Sequence, residues 1–227
     1  MGPLSMSDQP AGRWLRNTVF LEHPVSEPTS PRPHLSWMQS LVVFVGGGGL
    51  ISLGDRSHIE FGVLVQDDTS FLGQAWWVVP LFGVVSWMLF YGYRALRIRM
   101  GDPAAGWNPT RAMLNAVVFL LAYGSTGPFA GYGWSLALVL GGLWVVRVFL
   151  HRESRSTILF ALLVAVLGPI GESAISMLGV FHYTSPDLGL VHSWLPAVYL
   201  HGALVVPWVE SLLLPATDAA PPTLAEP

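Results

Sequence analysis

Apolar residues along this chain come in runs of about twenty, separated by short connections rich in glycine, proline and aspartate. A run of that length is what a helix needs to cross a bilayer. The pattern predicts six spans, at residues 37-54, 74-96, 111-130, 131-150, 156-180 and 192-214. Together they define a transmembrane domain over 37-214. Segments 1-36 and 215-227 are polar or proline-rich, and read as disordered cytoplasmic tails. No apolar run precedes residue 37, so no cleavable leader is expected. Ten-residue segments of alternating polarity, the mark of a membrane barrel, do not occur. The expected fold is all-α, a polytopic bundle of six transmembrane helices.

The connections carry their own signals. Gly46-Gly47-Gly48-Gly49 lies inside the first span, where glycine lets a neighbouring backbone approach closely. A phosphate-binding loop would need a strand before it and a helix after it. Gly54–Gly73 reads as a polar loop; its Asp67-Asp68 pair lacks further ligands at defined spacing for a divalent cation. Trp76-Trp77 opens the second span as an aromatic belt would, with Pro80 close behind. Ser185-Pro186-Asp187 is turn chemistry between spans five and six. Trp194 is expected at the headgroup level, and Glu210 at the inner interface.

Composition agrees with the pattern: of 227 residues 52% are hydrophobic and 11% charged, against about 25% charged in soluble domains. There is no cysteine, which excludes disulfides and thiolate metal sites. There is no lysine, so all cations are arginines. Six spans place Arg13, Arg16, Arg32, Arg94, Arg97, Arg99, Arg111, Arg147, Arg152 and Arg155 on the side of the termini and Arg56 alone on the other. The positive-inside rule then makes both termini cytoplasmic and the 183–192 loop external. The alanine, glycine, proline and arginine bias suggests a bacterial cell membrane, or the endoplasmic reticulum in a eukaryote.

Two ionisable residues fall inside spans. Glu172 lies about 12 Å below the outer end of span five and His201 about 13 Å below that of span six, at 1.5 Å per residue. The matched depths allow a Glu172–His201 contact. Intramembrane charges are usually paired or face a cavity. Three roles fit: a structural bond between the spans, an anchor for a lipid hydroxyl or headgroup, or acid/base chemistry on a lipid or isoprenoid. No nucleophile motif, metal motif or aspartate-rich diphosphate motif supports the last. His182 and His192 flank Asp187 in a loop where solvated histidines are expected rather than a metal.

Several stretches resemble the Insig (insulin-induced gene) family. They are Ser154-Arg155-Ser156, then Tyr183-Thr184-Ser185-Pro186-Asp187 and Ser193-Trp194-Leu195-Pro196, with Ala75-Trp76-Trp77-Val78 and Gly142-Leu143-Trp144. The resemblance covers roughly residues 40 to 210. It implies a six-helix membrane protein that is not an enzyme, needs no cofactor or metal, and binds a sterol among its helices while engaging membrane-protein partners. In a bacterium, a neutral lipid such as diacylglycerol replaces the sterol. Glu172, His201, Trp76, Trp77 and Pro80 become candidate ligand contacts. Tyr183–Asp187 is expected to fix the turn. Glu153, Ser154, Arg155 and Ser156 form the candidate partner-facing loop, although the family's acid before Ser-Arg-Ser is displaced by one position in His151-Arg152-Glu153. The partners implied are a membrane lipid and a homo-oligomer or other membrane protein, with no nucleic acid. The alternative is a small intramembrane enzyme using Glu172 and His201.

Overall fold

A computed structural model describes residues 34–214; the two tail readings lie largely outside them. Helix α1 (Trp37–Glu60) starts at a capping box, in which Ser36 and Gln39 each satisfy the other's backbone amide. It runs past residue 54, where a polar loop was expected. The Arg56–Glu60 pair at 2.9 Å holds the last turn. Asp55 and His58 turn inward to partners, so their polarity does not end the helix. A short strand β1 (Leu64–Gln66) follows, then α2 (Val78–Met100), stopped by Gly101 at φ 71°.

Helix α3 (Pro109–Ser125) begins with Asn108 as its cap and Pro109 in its first turn. A single 3-10 turn leads into α4 (Gly133–His151). Helix α5 (Arg155–Ser176) is capped by Ser154 and carries Pro169 inside. Strand β2 (Phe181–Tyr183) precedes the last span, which is broken into α6 (Leu195–Ala203) and α7 (Val206–Leu213). Pro207 explains the break: it cannot donate back to residue 203, and it disfavours helix before itself. Five stretches, α1, α2, α4 with its leading turn, α5, and α6–α7 together, are long and apolar enough to cross a membrane. The 17-residue α3 is the shorter sixth segment. The chain is an integral, multi-pass helical membrane protein.

The connections from α1 to α2 and from α5 to α6 are copies of one device. The spacing that carries Gly62 (φ 67°) onto Gly179 (φ 77°) also carries β1 onto β2. It carries Leu72 (φ 53°) onto Gly189 (φ 65°), and the Phe71–Gln74 bridge onto Leu188–Val191. It carries Trp77, the cap of α2, onto Trp194, the cap of α6. The strands pair antiparallel about Val65 and His182, so α1–β1–α2 and α5–β2–α6 are related by a local pseudo-two-fold axis.

Packing of α1 on α2 depends on glycine. A Cβ on Gly48 would lie 2.7 Å from the Val79 carbonyl oxygen, so only glycine permits this approach.

Candidate functional site

Two apolar cavities open between the helices. One, of about 330 Å³, lies between α1 and α6–α7; the other, of about 620 Å³, lies between α5 and α2. They share walls at Phe82, Val85, Leu89, Val164, Glu172 and Tyr199. They are also copies of each other. The internal spacing carries Val43, Gly46, Leu50 and Ile51 of the first onto Phe160, Leu163, Leu167 and Gly168 of the second. It carries Val198, Tyr199 and Gly202 onto Leu81, Phe82 and Val85. The result is two limbs of similar construction that share a wall including Glu172 and Tyr199.

Glu172 is fixed there by two donors. Tyr199 Oη donates to Oε1 at 2.6 Å, and Tyr183 Oη donates to Oε2. The pseudo-two-fold mate of Glu172 is Asp55, which accepts from Tyr123 Oη at 3.2 Å and lines the wider limb. Asp55 was not among the sequence candidates. Its available signal was position: it precedes Gly62 by the same interval at which Glu172 precedes Gly179.

The expected Glu172–His201 pair does not form. Tyr199 and His201 are two residues apart on α6, roughly 200° around a helix, so when Tyr199 meets Glu172, His201 faces away. His201 is fully buried instead. Its Nε2 donates to the Leu140 carbonyl at 3.0 Å, which leaves Nδ1 to accept from Arg147. Arg147 also donates to Asn115 Oδ1. His201 therefore clasps α3, α4 and α6 together, outside both cavities.

Of the other candidates, Trp77 lines the wider limb. Trp76 is 64% exposed, and neither it nor the exposed Pro80 lines a cavity. Both precede or begin α2 on the turn that faces outward. Leu195 lines the narrower limb. Trp194 is fully buried in the protein, stacked on His192 with ring centroids 5.0 Å apart. Glu210 is buried in the protein, where Arg97 grips both its oxygens at 2.8 and 2.9 Å.

The remaining motif residues hold the outer turn and the inner loop. Thr184 donates from its amide to the Val63 carbonyl at 3.0 Å and from its hydroxyl to the Gly62 carbonyl, stitching one hairpin to the other. Ser185 and Pro186 are exposed in the turn. Asp187 accepts from the Ser193 amide at 2.6 Å and its hydroxyl at 2.7 Å. Burial raises the Asp187 carboxyl, but the Ser193 hydrogen bonds and nearby His192 outweigh it and hold the group below the usual carboxylate range. Pro196 sits in the first turn of α6. On the inner side, Ser154 caps α5, and the Ser156 amide donates to Asp102 at 2.8 Å. Arg155 opens α5, and Glu153 takes Arg111 at 3.0 Å. Among the described residues no three His, Asp or Glu side chains come together as a metal set.

No protein-family model matches the chain. Curated relatives include insulin-induced gene 1 protein of Homo sapiens, 24% identical over 189 residues, or 79% of this chain and 68% of that one. Insulin-induced gene 2 protein of Gallus gallus is 25% identical over 140 residues, covering 61% and 62%. Among solved structures, the Insig homologue MvINS of Mycobacterium vanbaalenii aligns with TM-score 0.67 at 20% identity, over 78% of this chain and 94% of that one. A cross-linked trimer of a cysteine variant of MvINS aligns with TM-score 0.68 at 21% identity, over 80% and 96%. Sequence and fold agree that this chain is similar to the Insig proteins.

Proposed function

We propose that this Insig-like chain binds a neutral, two-tailed lipid of the diacylglycerol kind within its helix bundle and acts as a lipid-responsive regulator. The observation that carries this reading is the pair of limbs: two apolar slots of similar construction that share a wall at a small polar cluster. A lipid with two acyl chains and one uncharged polar end has that shape, and apolar burial supplies its affinity. A sterol, the ligand the resemblance suggests, would occupy one limb and leave the other empty. Trp77 and Leu195 wall the limbs, and Glu172 braces their junction. The arginine distribution supports cytoplasmic termini, in a bacterial membrane on composition. A homo-oligomer, as in the MvINS trimer, is the assembly to look for.

Mass spectrometry of intact protein in detergent, with extracted lipids identified, tests the reading. A Cβ on Gly46 or Gly171 meets nothing within 4 Å, and each residue lines one limb. Gly46→Leu and Gly171→Leu are therefore expected to fill a limb without disturbing the helices. Each should cut retention of a two-tailed lipid at least tenfold, at unchanged thermal stability. Retention of no lipid class, or of one indifferent to both substitutions, would remove the proposal. The same spectra report the oligomeric state.

A further inference from the structure

We infer that Asp55, not Glu172, is the residue that receives the ligand's polar end, and that it selects a free hydroxyl over an ether or ester. This rests on the lipid-binding reading and specifies its polar contact. Each Glu172 oxygen already accepts from a tyrosine hydroxyl, Oε1 from Tyr199 and Oε2 from Tyr183. Asp55 uses Oδ1 for Tyr123, and its other oxygen makes no hydrogen bond among the described residues. Its side chain lines the wider limb.

A second group faces the same carboxyl. His58 is 1% exposed, and its Nδ1 has no hydrogen-bond partner among the described residues. That nitrogen lies 4.0 Å from Asp55 Oδ1, too far for a hydrogen bond between them. The rest of the ring is committed. Thr126 Oγ1 donates its proton to the Tyr123 carbonyl at 2.5 Å. Its oxygen must then accept from His58 Nε2 at 2.7 Å. With the proton on Nε2, the neutral ring presents a lone pair at Nδ1. The open oxygen of the Asp55 carboxyl and the imidazole lone pair thus stand side by side, with no donor supplied to them by another described residue. Buried acceptors left in that state cost free energy until a donor arrives. A lipid hydroxyl is such a donor; an O-methyl ether or a third ester is not.

The experiment compares dioleoylglycerol bearing its free hydroxyl with its O-methyl ether and with trioleoylglycerol, each titrated into delipidated wild-type protein in nanodiscs. The wild type is expected to prefer the alcohol to the ether by roughly ten- to hundred-fold, the cost of leaving an acceptor there unpaired. Asp55→Leu should bring alcohol and ether to equal affinity while still taking both, and Glu172→Gln should keep the preference. Equal wild-type affinity for alcohol and ether overturns the inference while leaving the cavity reading standing. Failure to take up any of the three lipids removes the cavity reading, and the inference with it. The ligand series uses unaltered protein, so a poorly folding variant does not obscure the result.

Discussion

The structure assigns Glu172 the part of a brace, and this can be put in numbers. Its carboxylate joins α5 to Tyr183 of β2 and Tyr199 of α6 through two hydrogen bonds. Interhelical hydrogen bonds in membrane proteins average about 0.6 kcal/mol and reach about 1.7. Glu172→Leu forfeits both, a loss of about 1–3 kcal/mol. At roughly 2–4 °C per kcal/mol for a chain of this size, that is a fall in Tm of about 2–12 °C. Tryptophan fluorescence during heating in detergent reads it directly. The decisive form is a double-mutant cycle with Tyr199→Phe. Alone, Tyr199→Phe should lower stability by about 0.6–1.7 kcal/mol. In the Glu172→Leu background it should cost almost nothing, because the bond is already gone. A Tyr199→Phe cost that is the same in both backgrounds would refute the brace.

Two further outcomes follow from other sites. Gly48→Ala places a methyl 2.7 Å from the Val79 carbonyl oxygen and 2.9 Å from the Gly83 amide nitrogen, neither of which can rotate away. Forced separation of α1 from α2 should lower stability by about 1–3 kcal/mol, whereas Gly49→Ala, which meets nothing within 4 Å, should be neutral or stabilising in the same melting assay. Asp187 gives a pH signature. Because its native carboxyl titrates below the unfolded one, its stabilisation is complete above the unfolded carboxylate range and disappears as pH falls through the native value. The Tm difference between wild type and Asp187→Asn should be full at about pH 6 and shrink progressively as pH falls below about 4; a difference that does not shrink in acid would mean that the turn does not depend on this charge.

What the sequence disclosed and what it concealed have one physical cause. Span length and hydropathy depend on the solvent, which acts on every residue alike, so six apolar segments were legible from composition alone. The site depends on which face of each helix turns inward, and inside lipid both faces are apolar, so periodicity carries little information. Glu172 stood out as a charge in an apolar run, but its partner could not be assigned: depth matching favoured His201, while the angular position on α6 gave the place to Tyr199. Asp55 and His58 were hidden for the opposite reason. They lie where hydropathy declines, so they read as the beginning of a solvated loop, although Tyr123 and Thr126 bury them at the end of α1. The internal repeat was masked because side chains have diverged on a retained backbone: Leu64-Val65-Gln66 stands opposite Phe181-His182-Tyr183, with Gly62/Gly179 and Trp77/Trp194 among the few shared identities. Those identities survive where geometry admits few substitutes, at positive φ and at the large ring that closes each hairpin. The divergence then has a functional reading. If two identical halves met at the junction, two equivalent carboxyls would stand there with equivalent partners. Here one carboxyl has a tyrosine on each oxygen and its mate retains an open oxygen. Loss of symmetry at that single pair is what turns a structural repeat into a cavity with one polar end.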